Sequence, residues 1–161
     1  MTIDAARYRQ IIGHFATGVT VITTEHEGWL HGMTANAVAS VSLNPLLLLV
    51  CVDKAANMHG QIAQAGRFAV NILTDEQEDI SRTFAATTEP EQGRLQGITF
   101  RTGAHGSPLI DDALAFLDCA VTQAFEGGDH TIYLASVISG GLEEEGAPLL
   151  FYRGGYRRMA R

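Results

Sequence analysis

The stretch Gly32–Ser42, GMTANAVASVS, carries very little side-chain volume, and LNPLLLLVCVDK, which must be buried, follows it at once. Small residues beside a strong core strand either let two backbones pack closely or leave room for something that is not protein. Lys54 stands where the buried run leaves the core and is the only lysine in the chain. With a net charge of −7, one cation at a strand end can attract a phosphate, and can equally be a solvated surface charge. His130 follows Gly127-Gly128-Asp129, where a turn hands over to a strand. The histidines at 14, 26, 31, 59, 105 and 130 form neither HxH nor HExxH, and there is no CxxC, so no metal site is expected; His26 and His31 flank a turn and could meet across it, but scattered surface histidines are far commoner than a metal site. The chain also lacks GxxxxGK[ST], GxGxxG after a strand, and GxSxG, which excludes only the classes that need those motifs.

The elements that must position these residues are short. IDAARYRQIIGHF suits a helix capped by Asp4 and ended at Gly13. FATGVTVITTEHEGWLHGMTANAV predicts a hairpin with EHEG as its turn and WLHGMTANAV as its return strand. PLLLLVCVD is a buried strand, opened by Pro45. KAANMHGQIAQAG is a helix ended by Gly66, RFAVNIL a strand, and TDEQEDISRTFA a helix with a Thr74-x-x-Gln77 capping box. TTEPEQGRLQGITFRTGAHGSP is polar and glycine-rich, a long loop. DALAFLDCAVTQAFEGGDHTIYLASVISGG predicts two strands about EGGD, and APLLFYRGGYRRMAR a short strand with a Gly-Gly turn.

Roughly seven strands and about three short helices, without regular alternation, disfavour a doubly wound parallel sheet and favour an antiparallel barrel. At 161 residues, 46% hydrophobic and 18% charged, the chain suits a single domain, 1–161. The acidic balance argues against nucleic acid as a partner. The longest wholly apolar run, PLLLLVCV, is far short of the ~20 residues that span a bilayer. MTIDAARYRQ lacks the apolar stretch of a secretory signal, and Cys51 and Cys119 lie in apolar runs, which suits small buried thiols in a reducing compartment. A cytoplasmic protein is expected.

Six segments, in order, carry a resemblance over nearly the whole chain: FATGVTVITT (15–24), GMTANAVASVSLNPLLLLVCVD (32–53), GRFAVNIL (66–73), ISRTFA (80–85), GDHTIYLASV (128–137) and PLLFYRGGY (148–156). Together they resemble the flavin reductase family of small flavin-binding split-barrel proteins, the reductase components of two-component flavin-dependent monooxygenases. The resemblance implies a mainly β, antiparallel split barrel with short helices. It implies FMN or FAD as the flavin and NADH or NADPH as hydride donor. It also implies a homodimer with flavin near the subunit interface, and a separate oxygenase that receives the reduced flavin. Two other readings share the fold: a flavoenzyme that keeps its FMN and reduces another acceptor, and a non-catalytic flavin carrier or sensor.

The resemblance also assigns residues. Thr34, Ala35, Asn36 and Ala37, with the Ser40-Val41-Ser42 corner, line the flavin. Small residues there suit backbone contact with a flat ring, and Asn36 and Ser40 can add side-chain bonds. The same residues also suit a tight corner or β-bulge with no ligand. The edge Cys51, Val52, Lys54 continues to Asn57, which stands where the family has Ser or Thr and whose amide can still donate. Ser81 and Arg82 reach the flavin phosphate, since a guanidinium can bond two phosphate oxygens; Arg82 also suits the end of its helix, with Phe84 in the core. His130 lies beside the flavin where nicotinamide stacks; hydride transfer is a positioning problem rather than acid–base chemistry, so His130 is expected to orient nicotinamide or flavin and to offset the charge of the reduced ring. Arg153, Gly154, Gly155 and Tyr156 form a late turn near the pocket, or a structural turn with a packed tyrosine.

Overall fold

Burial alternates along Leu46–Asp53, with Leu48, Val50 and Val52 facing the core, so the apolar run is a strand packed chiefly through one face. The computed structural model describes residues 2–86, 97–143 and 145–160. In chain order the elements are α1 (Ala5–Ile12), β1 (Thr17–Gly18), β2 (Thr20–His26), β3 (Trp29–Ala35), β4 (Val38–Leu43), β5 (Leu46–Asp53), α2 (Asn57–Ala65), β6 (Arg67–Ile72), α3 (Glu78–Ala85), β7 (Phe100–Thr102), β8 (Pro108–Ile110), β9 (Ala115–Gly127), β10 (His130–Leu142), β11 (Leu150–Tyr152) and β12 (Gly155–Arg157).

Seven strands form one antiparallel sheet in the order β3-β2-β6-β9-β10-β5-β4. Its edge strands, β3 and β4, are joined by only Asn36 and Ala37. A flat sheet of this width would hold its edges about 29 Å apart. The peptide steps from Ala35 to Val38 reach at most about 11 Å. The sheet must therefore curl until the end of β3 reaches the start of β4, while the two edges share no ladder, which makes it a split barrel. Register shifts between Leu134 and Ala135 and between Val137 and Ser139 break the long β9–β10 ladder, as bulges that bend and twist a strand do. Inside the curl, Ile22, Val50, Phe68, Val70 and Tyr133 form the core, and α2 adds Met58 and Ile62. A second core, Val19, Val21, Leu73, Phe84, Ile110 and Leu149, includes a residue of α3. Strands β1, β11 and β12 make a small separate sheet, and β7 pairs with β8.

Local chemistry explains several boundaries. The Asp4 carboxylate accepts the Arg7 N–H at 2.7 Å and caps α1, and Gly66 ends α2 at φ 66°. The β2–β3 turn places Glu27 and Gly28 at φ 51° and 80°, the mirror-image turn that suits strand twist.

Other expectations are corrected. The return strand does not run to Val38; it stops at Ala35, because its continuation belongs to the opposite edge of the sheet. The described residues hold twelve strands: the main sheet's seven and five shorter ones outside it. The loop expected over 87–108 contains β7 and the start of β8, paired through Thr102 and Pro108; residues 87–96 lie outside the described residues. Helices α2 and α3 start at Asn57 and Glu78, later than the sequence suggests. The Thr74–Gln77 box is half made. The Gln77 side chain accepts the Thr74 N–H at 3.1 Å, while the Gln77 N–H bonds the Thr74 carbonyl instead of its hydroxyl. The late turn is Arg153–Gly154, both at positive φ, and Gly155 already belongs to β12.

Asn71 ties the curled sheet to the β7–β8 hairpin. Its fully buried amide donates to the Val21 carbonyl (3.0 Å) and the Thr23 hydroxyl (2.9 Å), and accepts the Ile110 N–H (2.8 Å). Replacing it strands a buried backbone donor, so Asn71→Ala is expected to lower stability by about 2–4 kcal/mol. Urea unfolding followed by circular dichroism checks this; a loss below about 0.5 kcal/mol would show that the network does not hold the hairpin.

Candidate functional site

A pocket of about 440 Å³ opens where the end of β3, the start of α2 and the end of α3 converge. Gly32, Thr34, Ala35 and Asn36 form one wall, Asp53 and Ala55–Met58 another, and Phe84–Ala86 a third; Val19, Phe151 and Tyr156 complete it.

Close packing sets these walls. A Cβ built on Gly32 would lie 2.4 Å from the Phe84 ring, so only glycine lets α3 settle there. The Thr34 hydroxyl donates to the Ser81 carbonyl at 2.6 Å and ties β3 to α3. Ser81 Oγ and the Tyr156 hydroxyl are 2.7 Å apart, and Phe151 meets Tyr156 edge to face at 5.6 Å. The result is a slot with small residues on two walls and aromatic side chains on the third.

Charged side chains that border these walls are paired. Arg82 donates from Nε (2.9 Å) and Nη2 (2.6 Å) to Glu78 Oε1 and lies over the Tyr156 ring, 4.8 Å from its centroid. Glu78 raises the Arg82 pKa further above its ordinary value. Lys54 pairs with Glu126 and holds that carboxyl below its usual range. His130 stands opposite Asp53 in the β5–β10 ladder, and its Nδ1 lies 2.7 Å from Asp129 Oδ1, which pulls the Asp129 pKa down. Helix α2 begins at the pocket with no side-chain cap and no acidic residue in its first turn, a terminus that favours an anion. Cys51 and Cys119 are unpaired. Burial raises the Cys51 thiol, and burial followed by the Asp118 charge pushes Cys119 up to about 12, so neither is poised as a nucleophile at neutral pH.

Of the residues singled out from the sequence, Thr34, Ala35, Asn36, Asn57, Phe84 and Tyr156 line the pocket. Ser81 and Arg82 border it through Tyr156, and His130 through Asp53. Ala37 lies in the β3–β4 connection, and Ser40, Val41 and Ser42 lie on β4, where the pairing with β5 skips Val41. Val52 is fully buried in the core, Cys51 is half-buried on the same strand, and the Lys54 amine is held at Glu126. Phe151, Asp53 and Ala55–Ala56 line the pocket and had not been singled out. Asp53 sits in the CVDK edge that drew attention to its neighbours, whereas nothing local marks Phe151.

A curled antiparallel barrel with a slot of small and aromatic residues where β3, α2 and α3 converge defines a small barrel protein with a ligand-sized pocket. Comparison with known proteins gives the particular kind. The chain belongs to the flavin reductase like domain family, whose sequence pattern matches residues 12–160. It is 41% identical over 158 residues to the flavin-dependent monooxygenase reductase subunit HsaB of Mycobacterium tuberculosis, covering 96% of this chain and 82% of that one. It is 40% identical over 159 residues to an NADH-dependent FAD reductase of Streptomyces globisporus, covering 98% and 87%. Among solved structures it superposes on the flavin reductase PheA2 with a TM-score of 0.91 at 43% identity, covering 99% and 100%. It also matches the Streptomyces globisporus NADH:FAD oxidoreductase SgcE6 with NAD and FAD fragments, with a TM-score of 0.90 at 40% identity, covering 98% and 93%.

Gly32→Val drives a branched side chain into the Phe84 ring. The expected loss is about 1–3 kcal/mol of stability, together with a weaker pocket. Urea unfolding and flavin titration of this variant check it; an unchanged midpoint would mean that α3 can move aside freely.

Proposed function

We propose that this chain is an NAD(P)H:flavin oxidoreductase that reduces FMN or FAD and releases it to a separate oxygenase component. One observation carries the reading: in a chain of this family, the slot is walled by Gly32, Thr34, Ala35 and Asn36 on one side and by Phe84 and Tyr156 on another. Its size lies within the range of small-ligand pockets, and its small residues leave backbone accessible to a planar ring. When bound, the flavin supplies a hydride-accepting ring nitrogen.

The chain's own residues do the rest. Asn36 and Asn57 line the slot with amides that have no partner among the described residues, free to bond polar ligand edges. Arg82 and the uncapped start of α2 are the groups suited to phosphate. Asp129 holds His130 Nδ1 and leaves Nε2 without a protein partner among the described residues, so the ring can position nicotinamide. Hydride transfer needs reacting atoms at about 3–3.5 Å, so orientation is the main task. The NADH-dependent FAD reductase named above favours NADH as donor. Relatives named as monooxygenase reductase subunits favour a separate oxygenase as recipient.

Two finer points belong to the same reading. The chain forms a homodimer: α1 buries none of its residues and exposes Tyr8, Ile11 and Ile12, and Val41 and Leu43 stand exposed on an edge strand, more apolar surface than one copy covers. It works in the cytoplasm, in keeping with two unpaired thiols. No helix among the described residues is long and apolar enough to cross a membrane.

The test is to mix protein, NADH and FMN or FAD in air and follow NADH consumption. Turnover that rises and saturates with added flavin is expected, with flavin lost on purification and activity restored by adding it. Consumption only with another acceptor would favour a retained-flavin enzyme, and flavin binding with no loss of NADH or NADPH a carrier. Within the same assay, His130→Ala is expected to lower kcat/KM for NADH by about 10- to 100-fold while flavin affinity holds. An unchanged kcat/KM would remove His130 from the reaction.

A further inference from the structure

Arg82 is already occupied. Its Nε and Nη2 both donate to the same oxygen of Glu78, one helical turn earlier, and its flat face rests on Tyr156, which lines the slot. We propose that Glu78 competes with the flavin phosphate for Arg82: its carboxylate holds the guanidinium donors at the rim of the slot and has to share or yield them when a phosphate arrives, which keeps flavin affinity low enough for release. This rests on the reductase reading, with Arg82 as the phosphate ligand.

Three observations support it. First, the edge of the guanidinium formed by Nε and Nη2 is a fork that suits two phosphate oxygens, and it is the edge that Glu78 takes. Second, the pair can be exchanged. Its side chains are 61% and 32% exposed, and an i,i+4 pair in solvent is weak. Third, the local charge opposes an incoming anion. Glu78 and Asp79 both sit in the first turn of α3, and Arg82 is the helix's only cation. A phosphate that bonds Arg82 end-on, without displacing Glu78, still lies close to that carboxylate. Sharing and displacement therefore both weaken binding, and both predict the same sign when the charge is removed.

The experiment titrates the full-length protein with FMN and with riboflavin, which lacks the phosphate, and reads flavin fluorescence. The variants are Glu78→Gln, which keeps size and loses charge, and Arg82→Gln. Wild type is expected to prefer FMN. Glu78→Gln should tighten FMN about fivefold and leave riboflavin unchanged, in line with the small worth of an exposed pair. Arg82→Gln should erase the preference for FMN. Riboflavin also reports on folding, because a change through α3 stability moves both ligands together. The proposal is overturned if Glu78→Gln weakens FMN, leaves it unchanged, or shifts both flavins equally. An Arg82→Gln variant that still prefers FMN also overturns it and leaves the reductase reading standing. Wild type that binds neither flavin overturns that reading as well.

Discussion

The two-residue tie between β3 and β4 is the constraint from which the slot follows. Asn36 and Ala37 join strands at opposite edges of the sheet, so the end of β3 has to lie beside the start of β4. At that corner β3 ends beside α3 and the start of α2, and the Phe84 ring of α3 sets how much side chain β3 can carry. Gly32 is the clearest case, since any larger residue would lie against Phe84. The small-residue run from Gly32 to Ser42 therefore divides by strand. Its β3 half forms a wall of the slot, and its β4 half forms a bulged edge strand paired with β5. Pocket wall and bulged strand describe consecutive parts of that run.

The residues bordering the slot follow a second rule, that each basic side chain has an acidic neighbour. Lys54 meets Glu126 and Arg82 meets Glu78, while the His130 ring nitrogen Nδ1 meets Asp129 through a hydrogen bond. Exposed pairs of this kind add little stability, and their main effect is to hold long side chains in place and to offset positive charge near the slot. A binding site that had to retain its ligand would expose these charges to it. One that has to load and release gains from partial neutralisation. An affinity near micromolar, about −8 kcal/mol, is the regime in which a ligand can do both.

Local signals were legible in the sequence because their causes are local. Asp4 caps α1 through its own side chain, Gly66 accepts a left-handed turn that other residues resist, and Glu27-Gly28 makes the tight hairpin. Contacts across the sheet were not legible. Nothing in WLHGMTANAV says that the strand must stop at Ala35, since the reason lies in β4 on the far edge. Phe151 enters the slot wall only because β11 and β12 pair beside α3, far away in sequence. Arg82 stands between these cases. Resemblance pointed to it, while its partner Glu78 was readable from i,i+4 spacing alone and its stacking on Tyr156 was not. Along β5 the two-residue period places Val52 in the core, so a segment assigned to the site as a block has to be divided residue by residue.

In a chain without a dinucleotide-binding fingerprint, the proposed place for nicotinamide is beside His130, at the end of the ladder between β5 and β10. His130 is placed opposite Asp53 by backbone pairing, and Asp53 lines the slot, so the distance from the histidine to the slot is set by a sheet that cannot slip by one residue without turning every core side chain outward. The backbone N–H of Lys54 bonds the Asp129 carbonyl at 3.0 Å and closes the same end of the ladder. Asp129 then fixes the imidazole. The sheet positions the residue and the turn orients its ring. The core of Val50, Phe68 and Val70 that closes the barrel is thus also what holds His130 in register with the slot, and packing and chemistry share one set of contacts.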